Sequence, residues 1–244
     1  MKRKALVVIL ICCVVCLYAL SRDRSGQGQE GHIVPVYVYI HVCCIGRYAE
    51  ILGKLLASIK SSGLYDRASE IRCCVIGEYD PGLFRDPVNK VRIHATSADV
   101  SLYEAFTLNV LRADASRARF NALYLHTKGV TRATSAPVAS WVDYMLHFCV
   151  RRYALCTALL GAYDTVGVNL HPEPVLHYSG NFWWATSRYI ASLAACTMAH
   201  YNSPEFWLTE GRTGRHASLW ESGINHYDKT YSPLRYRGAY AAYA

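Results

Sequence analysis

Apolar and polar positions follow two rhythms along this chain, one of period two and one near three and a half. Val34 to Val42 (VPVYVYIHV) is rich in β-branched and aromatic residues and predicts a first strand. Tyr48 to Ser62 then sets Ile51, Leu55, Leu56 and Ile59 on one helical face, with Gly63 as its stop. Ile71 to Ile76 predicts a second strand, ended by Gly77, and Pro81-Gly82 marks Glu78 to Pro87 as a loop. Val88 to Ala95 predicts a third, edge-like strand, Leu102 to Ala115 a helix, and Leu123 to His126 a fourth strand. A polar loop, Thr131 to Pro137, leads into one long helix over Val138 to Leu160 that carries Trp141, Met145, Phe148 and Tyr153. Val166 to Leu170 predicts a fifth strand and His171 to Val175 a Pro-broken loop. Tyr178 to Ala185 predicts a sixth strand, and Ser187 to His200 a helix capped by Thr186 or Ser187. This alternation predicts an α/β fold: a mainly parallel mixed sheet with helices on both faces. The last third is less regular. Ser203 to Trp207, His226 to Tyr231 and the Tyr-rich tail read as loops over the ligand edge of the sheet.

The first residues follow a different pattern. Lys2, Arg3 and Lys4 precede an uncharged apolar run from Ala5 to Leu20. As a helix this run spans about 24 Å, short for a bilayer core of about 30 Å but within reach of a thinner secretory membrane. It predicts a single-pass type II signal-anchor with a lumenal catalytic domain; a cleaved signal is the alternative, with Leu17 and Ala19 as a poor small-residue site. The predicted layout is a basic tail (1–4), an anchor (5–20), a flexible stem (21–33), a catalytic domain (34–238) and a short tail (239–244).

Composition narrows the classes. Apolar residues make up 52% of the chain and charged residues 18%, which excludes a disordered protein. Net charge is +8, and about +5 without the leader's three cations. That modest excess suits an anionic small ligand or membrane surface, and no basic stripe points to nucleic acid. Ten cysteines suggest no disulfide framework: Cys43-Cys44 and Cys73-Cys74 are adjacent pairs in apolar runs, and adjacent strand residues face opposite ways.

Two segments carry the candidate chemistry. Ala122 to Gly129 (ALYLHTKG) is an apolar strand that ends on His126, Thr127, Lys128 and Gly129. Ligands in open α/β sheets bind outside such carboxyl ends. Lys128 offers positive charge, His126 a ring nitrogen, and Gly129 close backbone approach, a set suited to a phosphate-bearing substrate. Tyr178 to Ala185 (YSGNFWWA) sets Ser179, Gly180 and Asn181 beside Phe182, Trp183 and Trp184, which suits a sugar or nucleobase. Glu205, between Pro204 and two aromatics, is a candidate general base, or else a first-turn helix acid. His177 either faces the same cleft or solvates a loop. Asp80, in an acidic Pro-Gly turn, and His226 are weak metal candidates.

Together, LYLHTKGV (Leu123 to Val130), Trp141 through Met145, YDTVGVNL (Tyr163 to Leu170), HYSGNFWWATSRYI (His177 to Ile190) and PEFWL (Pro204 to Leu208) resemble a group of GT-A-type glycosyltransferases. Relatives of that group occur in bacterial glycan loci and among the capsid-glycosylating proteins of large algal viruses. The resemblance implies transfer of a hexosyl or deoxyhexosyl group from a nucleotide-sugar donor, with UDP as the expected nucleotide, to a glycan or glycoprotein hydroxyl. It also implies a nucleoside pocket at Cys44, Ile45 and Gly46, with Tyr103, Glu104 and Thr107 beside it and Thr127 and Gly129 near the donor. Ser179, Gly180, Asn181, Trp183 and His177 would hold transferred sugar and acceptor, and Glu205 would stand near the base. Many GT-A enzymes carry a D-x-D motif for manganese or magnesium where this chain has His126 to Gly129, so metal use is open and Lys128 and His126 stand ready to stabilise the diphosphate. The alternatives are a non-catalytic glycan-binding module and a nucleotidyltransferase on a similar sheet.

Overall fold

A computed structural model describes residues 34–130, 135–211 and 213–238. The segments expected as anchor and stem, the last six residues and most of the loop after Val130 lie outside the described residues. No helix among those described is long and apolar enough to cross a membrane.

The first strand, β1 (Val36–Cys43), is followed by α1 (Tyr48–Ser61), the short α2 (Leu64–Arg67) and β2 (Glu70–Ile76). Next come β3 (Val91–Ser97), α3 (Ala105–Ala115) and β4 (Asn121–His126). The helical region α4 (Ala136–Leu146), a π turn (His147–Arg151) and α5 (Tyr153–Leu159) leads to β5 (Thr165–Gly167). A small hairpin, β6 (Leu170–His171) and β7 (His177–Tyr178), precedes β8 (Trp183–Thr186), α6 (Ser187–Ser192), α7 (Ser203–Phe206) and β9 (His216–Ser218). Among the described residues, seven strands form one sheet in the order β3-β2-β1-β4-β8-β5-β9. Strand β8 runs against both its neighbours, and the other pairings are parallel. The mainly parallel α/β sheet expected from the sequence is therefore the one observed.

Strand periodicity sorts the core onto two faces. Tyr39, Cys74, Ala122, Tyr124, Trp183 and Ala185 pack with Leu108, Leu111 and Ala115 of α3. Trp184 points the opposite way, and its indole N–H donates to the Cys149 carbonyl in the π turn (2.7 Å). Three predicted elements break, the first of them the fifth strand over Val166 to Leu170, which left-handed Asn169 (φ +50°) divides between β5 and β6. Tyr178 to Ala185 is not one strand, because Gly180 (φ +95°) and Asn181 (φ +59°) turn the backbone left-handed between β7 and β8. The long helix over Val138 to Leu160 is interrupted by the π turn, and α6 stops at Ser192, well short of His200. Strand β9 was not expected. The cysteines among the described residues are all free.

Candidate active site

The chain passes from β1 to β2 and β3 on one side, then crosses to place β4 on the other side of β1. The connections leaving β1 and β4 diverge, which opens a crevice beyond their carboxyl ends. His41 and His126 are partners in the parallel register at this point. The Thr127 N–H donates to the His41 carbonyl (3.0 Å), and the Cys43 N–H to Thr127 Oγ1 (3.1 Å). Just beyond, Gly46 has φ +51°, and a Cβ there would lie 2.5 Å from the Val130 carbonyl oxygen. The two strand-end loops thus meet backbone to backbone, and glycine is the residue that allows it.

Glu104 reaches into this crevice from the residue before α3. Its Oε2 accepts from the Tyr124 hydroxyl (2.9 Å) and from Asn181 Nδ2 (2.6 Å), and its Oε1 lies 3.3 Å from His126 Nδ1. The preceding Tyr103 has φ +44° and ψ −149°, a strained conformation for a tyrosine at the rim of a site. Its ring is exposed and meets exposed Tyr201 edge to face.

Gly180 is the hub. Its N–H donates to Glu205 Oε1 (2.7 Å), and its carbonyl lies 3.1 Å from His126 Nε2. A carbonyl only accepts, so Nε2 carries the His126 proton. Burial, reinforced by the Lys128 charge, holds this histidine down to about 3, so the ring is neutral near pH 7. Nδ1 then presents a lone pair beside Glu104. A side chain on Gly180 would strike Met145 Sδ and the Trp141 indole, within 2.9 Å of its Nε1.

The structure brings together Glu104, His126, Gly180, Asn181 and Glu205. Lys128 lies nearby, with its Nζ 4.1 Å from the Trp141 ring centroid. Cys44, Ile45 and Gly46 form the turn after β1, with Ile45 exposed and burial raising the Cys44 thiol to about 11. His177 packs on Phe206 and holds the Val175 carbonyl. Half-buried Ser179 donates its N–H to the Asn169 carbonyl.

Three of the expected contact residues lie buried. Trp183 is a core residue, 1% exposed, stacked on Tyr124 and donating to Asn181 Oδ1 (2.7 Å), so it orients Asn181 and offers no face to a sugar. Thr107 is sealed beneath the site and bonds His41 Nδ1 (2.8 Å). Thr127 is buried too and acts as the tie between β1 and β4. The weak metal candidates do not meet. Asp80 caps its own turn through the Gly82 N–H, and no group of three His, Cys, Asp or Glu side chains among the described residues is placed to hold a metal ion. Trp141, which the sequence offers only within a segment of the resemblance and not as a site residue, packs on Gly180 and lies beneath Lys128; contact geometry reveals this.

Residues 86–212 match the family described as Domain of unknown function (DUF8361). The chain belongs to this family. The DUF8361 stretch contains Glu104, His126, Lys128, Trp141, Gly180, Asn181 and Glu205, whereas β1, β2 and His226 lie outside it. No curated protein matches the chain. Solved structures similar to the chain include two transferase-type proteins. One is a protein described as a nucleotide-diphospho-sugar transferase from Desulfovibrio desulfuricans G20, with 10% identity over 78% of this chain and 81% of that one and a TM-score of 0.44. The other is a 4-diphosphocytidyl-2C-methyl-D-erythritol synthase, with 13% identity over 86% and 97% and a TM-score of 0.40.

Proposed function

We propose that this protein transfers a sugar from a nucleotide-diphosphate donor to an acceptor hydroxyl in the crevice beyond β1 and β4. The carrying observation is the linked set His126–Gly180–Glu205, with Asn181 bonded to Glu104, at the switch point of a mainly parallel sheet, with a lysine beside it. The resemblance of its segments to GT-A glycosyltransferases supports the same reading. Glu205 is fixed through one oxygen by the Gly180 N–H, which leaves the second to take the acceptor's proton. Lys128 supplies fixed positive charge for the departing diphosphate. Neutral His126 holds the Gly180 carbonyl, and Glu104 holds Tyr124 and Asn181. Manganese or magnesium would find no carboxylate pair at the end of β4, where the residues are His126, Thr127 and Lys128, so no step is assigned to a metal.

The test is incubation of the full chain with UDP-, GDP- and dTDP-sugars, with and without manganese or magnesium. Release of a nucleoside diphosphate is expected from one of them, and Glu205→Gln lowers that rate by about 100-fold or more, the usual scale for losing a general base. Pyrophosphate as the only product would establish a nucleotidyltransferase. Glycan binding with no nucleotide-sugar affinity would establish a binding module.

A further inference from the structure

Among the described residues, two neighbouring buried N–H groups have no hydrogen-bond partner: Nε1 of Trp141, which packs on Gly180, and Nδ1 of His226, whose ring stacks on Trp141. Trp141 is 1% exposed and His226 3%. The His226 tautomer follows from its neighbours. The Ser222 N–H donates to Asn169 Oδ1 (2.8 Å), which fixes Asn169 Nδ2 as the amino end. That amino group faces His226 Nε2 (3.2 Å), and Ser222 Oγ is also 2.8 Å from Nε2. Nε2 is therefore an acceptor. Burial, with His171 and Lys128 adding repulsion, holds the ring down to about 4, so its single proton sits on Nδ1. Both orphaned atoms are donors.

They share one neighbourhood. The His226 ring is nearly parallel to the Trp141 indole (8°, centroids 5.2 Å apart), and Lys128 Nζ lies 4.1 Å from the same indole centroid. A buried donor without an acceptor is costly, and two of them next to an ammonium call for one kind of partner, an anion.

We propose that Lys128, Trp141 and His226 form an anion site that takes a diphosphate ester. The diphosphate as ligand rests on the transferase reading above; the need for an anion does not. Both N–H groups are covered here, while Lys128 is half-exposed and lies over the indole. An anion held by the ammonium reaches the two in-plane N–H groups once the side chains that cover them shift. Glu205 reaches Gly180 through its N–H, and Trp141 packs on the same glycine. One residue thus separates the group that holds the leaving diphosphate from the carboxylate that faces the acceptor.

The test titrates the full chain with pyrophosphate, UDP, inorganic phosphate and sulfate by calorimetry, and follows the Trp141 indole N–H by NMR. Pyrophosphate and UDP are expected to bind at least tenfold tighter than phosphate or sulfate and to move that resonance downfield. Trp141→Phe, which keeps a ring and removes the donor, and Lys128→Gln, which leaves the core untouched, each weaken binding tenfold or more. An unmoved indole resonance with unchanged affinity in Lys128→Gln overturns the proposal. Sulfate binding as tightly as pyrophosphate overturns the diphosphate assignment. Turnover of a nucleotide sugar alongside those null results would sink this site and leave the transferase reading standing. Variant-sensitive pyrophosphate binding without turnover of any nucleotide sugar would do the reverse.

Discussion

Asn181 shows how much one side chain holds in place. It sits left-handed and 2% exposed, with Nδ2 on Glu104 and Oδ1 on the Trp183 indole. Removing it strands a buried indole donor and loosens a carboxylate. Asn181→Ala should therefore cost roughly 2–4 kcal/mol, read from the urea midpoint, because each buried group left unsatisfied costs about 1–3 kcal/mol. A loss under 0.5 kcal/mol would show that these bonds are replaced by water. Gly180→Ala should be at least as damaging, since its Cβ meets the Trp141 indole and its backbone is left-handed. The sequence drew attention to Gly180 and Asn181 because small polar residues precede an aromatic run, and to Glu205 because a carboxylate stands beside two aromatics. It could not show that Trp183 faces inward, because the turn at Gly180-Asn181 resets which face each later residue takes.

At the scale of elements, long periodic segments were legible and interrupted ones were not. The first strand, its following helix and the second strand fall within two residues of expectation. The predicted helix over Val138 to Leu160 keeps an apolar face throughout, so periodicity gives no hint of its break. The break is tertiary: the Cys149 carbonyl accepts from Trp184 on the sheet, and the widened π turn carries it there. Strand β9 is three residues long and exists through parallel pairing with β5, roughly fifty residues earlier in the chain. Helix α6, by contrast, announces its own start. Thr186 Oγ1 accepts from the Tyr189 N–H (3.3 Å), so Thr186→Ala should lower stability by about 1 kcal/mol in chemical denaturation.

Buried histidines give the whole molecule a pH response. Burial holds His41, His147 and His226 down to about 4 and His126 to about 3, against about 6.5 when unfolded. Between about pH 6 and pH 4.5 the unfolded chain binds protons that the folded chain refuses. Stability therefore falls on acidification, by up to about 1.4 kcal/mol per pH unit for each ring. Urea midpoints at pH 7, 6 and 5 should drop in that order, and equal midpoints would show that these rings are solvated. The sequence by itself determined the mainly parallel α/β class, the strand-helix alternation of the first half and the polar end of the fourth strand, because apolar periodicity and local turn chemistry are written into neighbouring residues. Only the tertiary structure decided that Glu104, His126, Gly180 and Glu205 meet, and that Trp141 and His226 leave two donors unanswered beside them. Those groups lie tens of residues apart, and the crossing of the chain from β3 to β4 is what makes them neighbours.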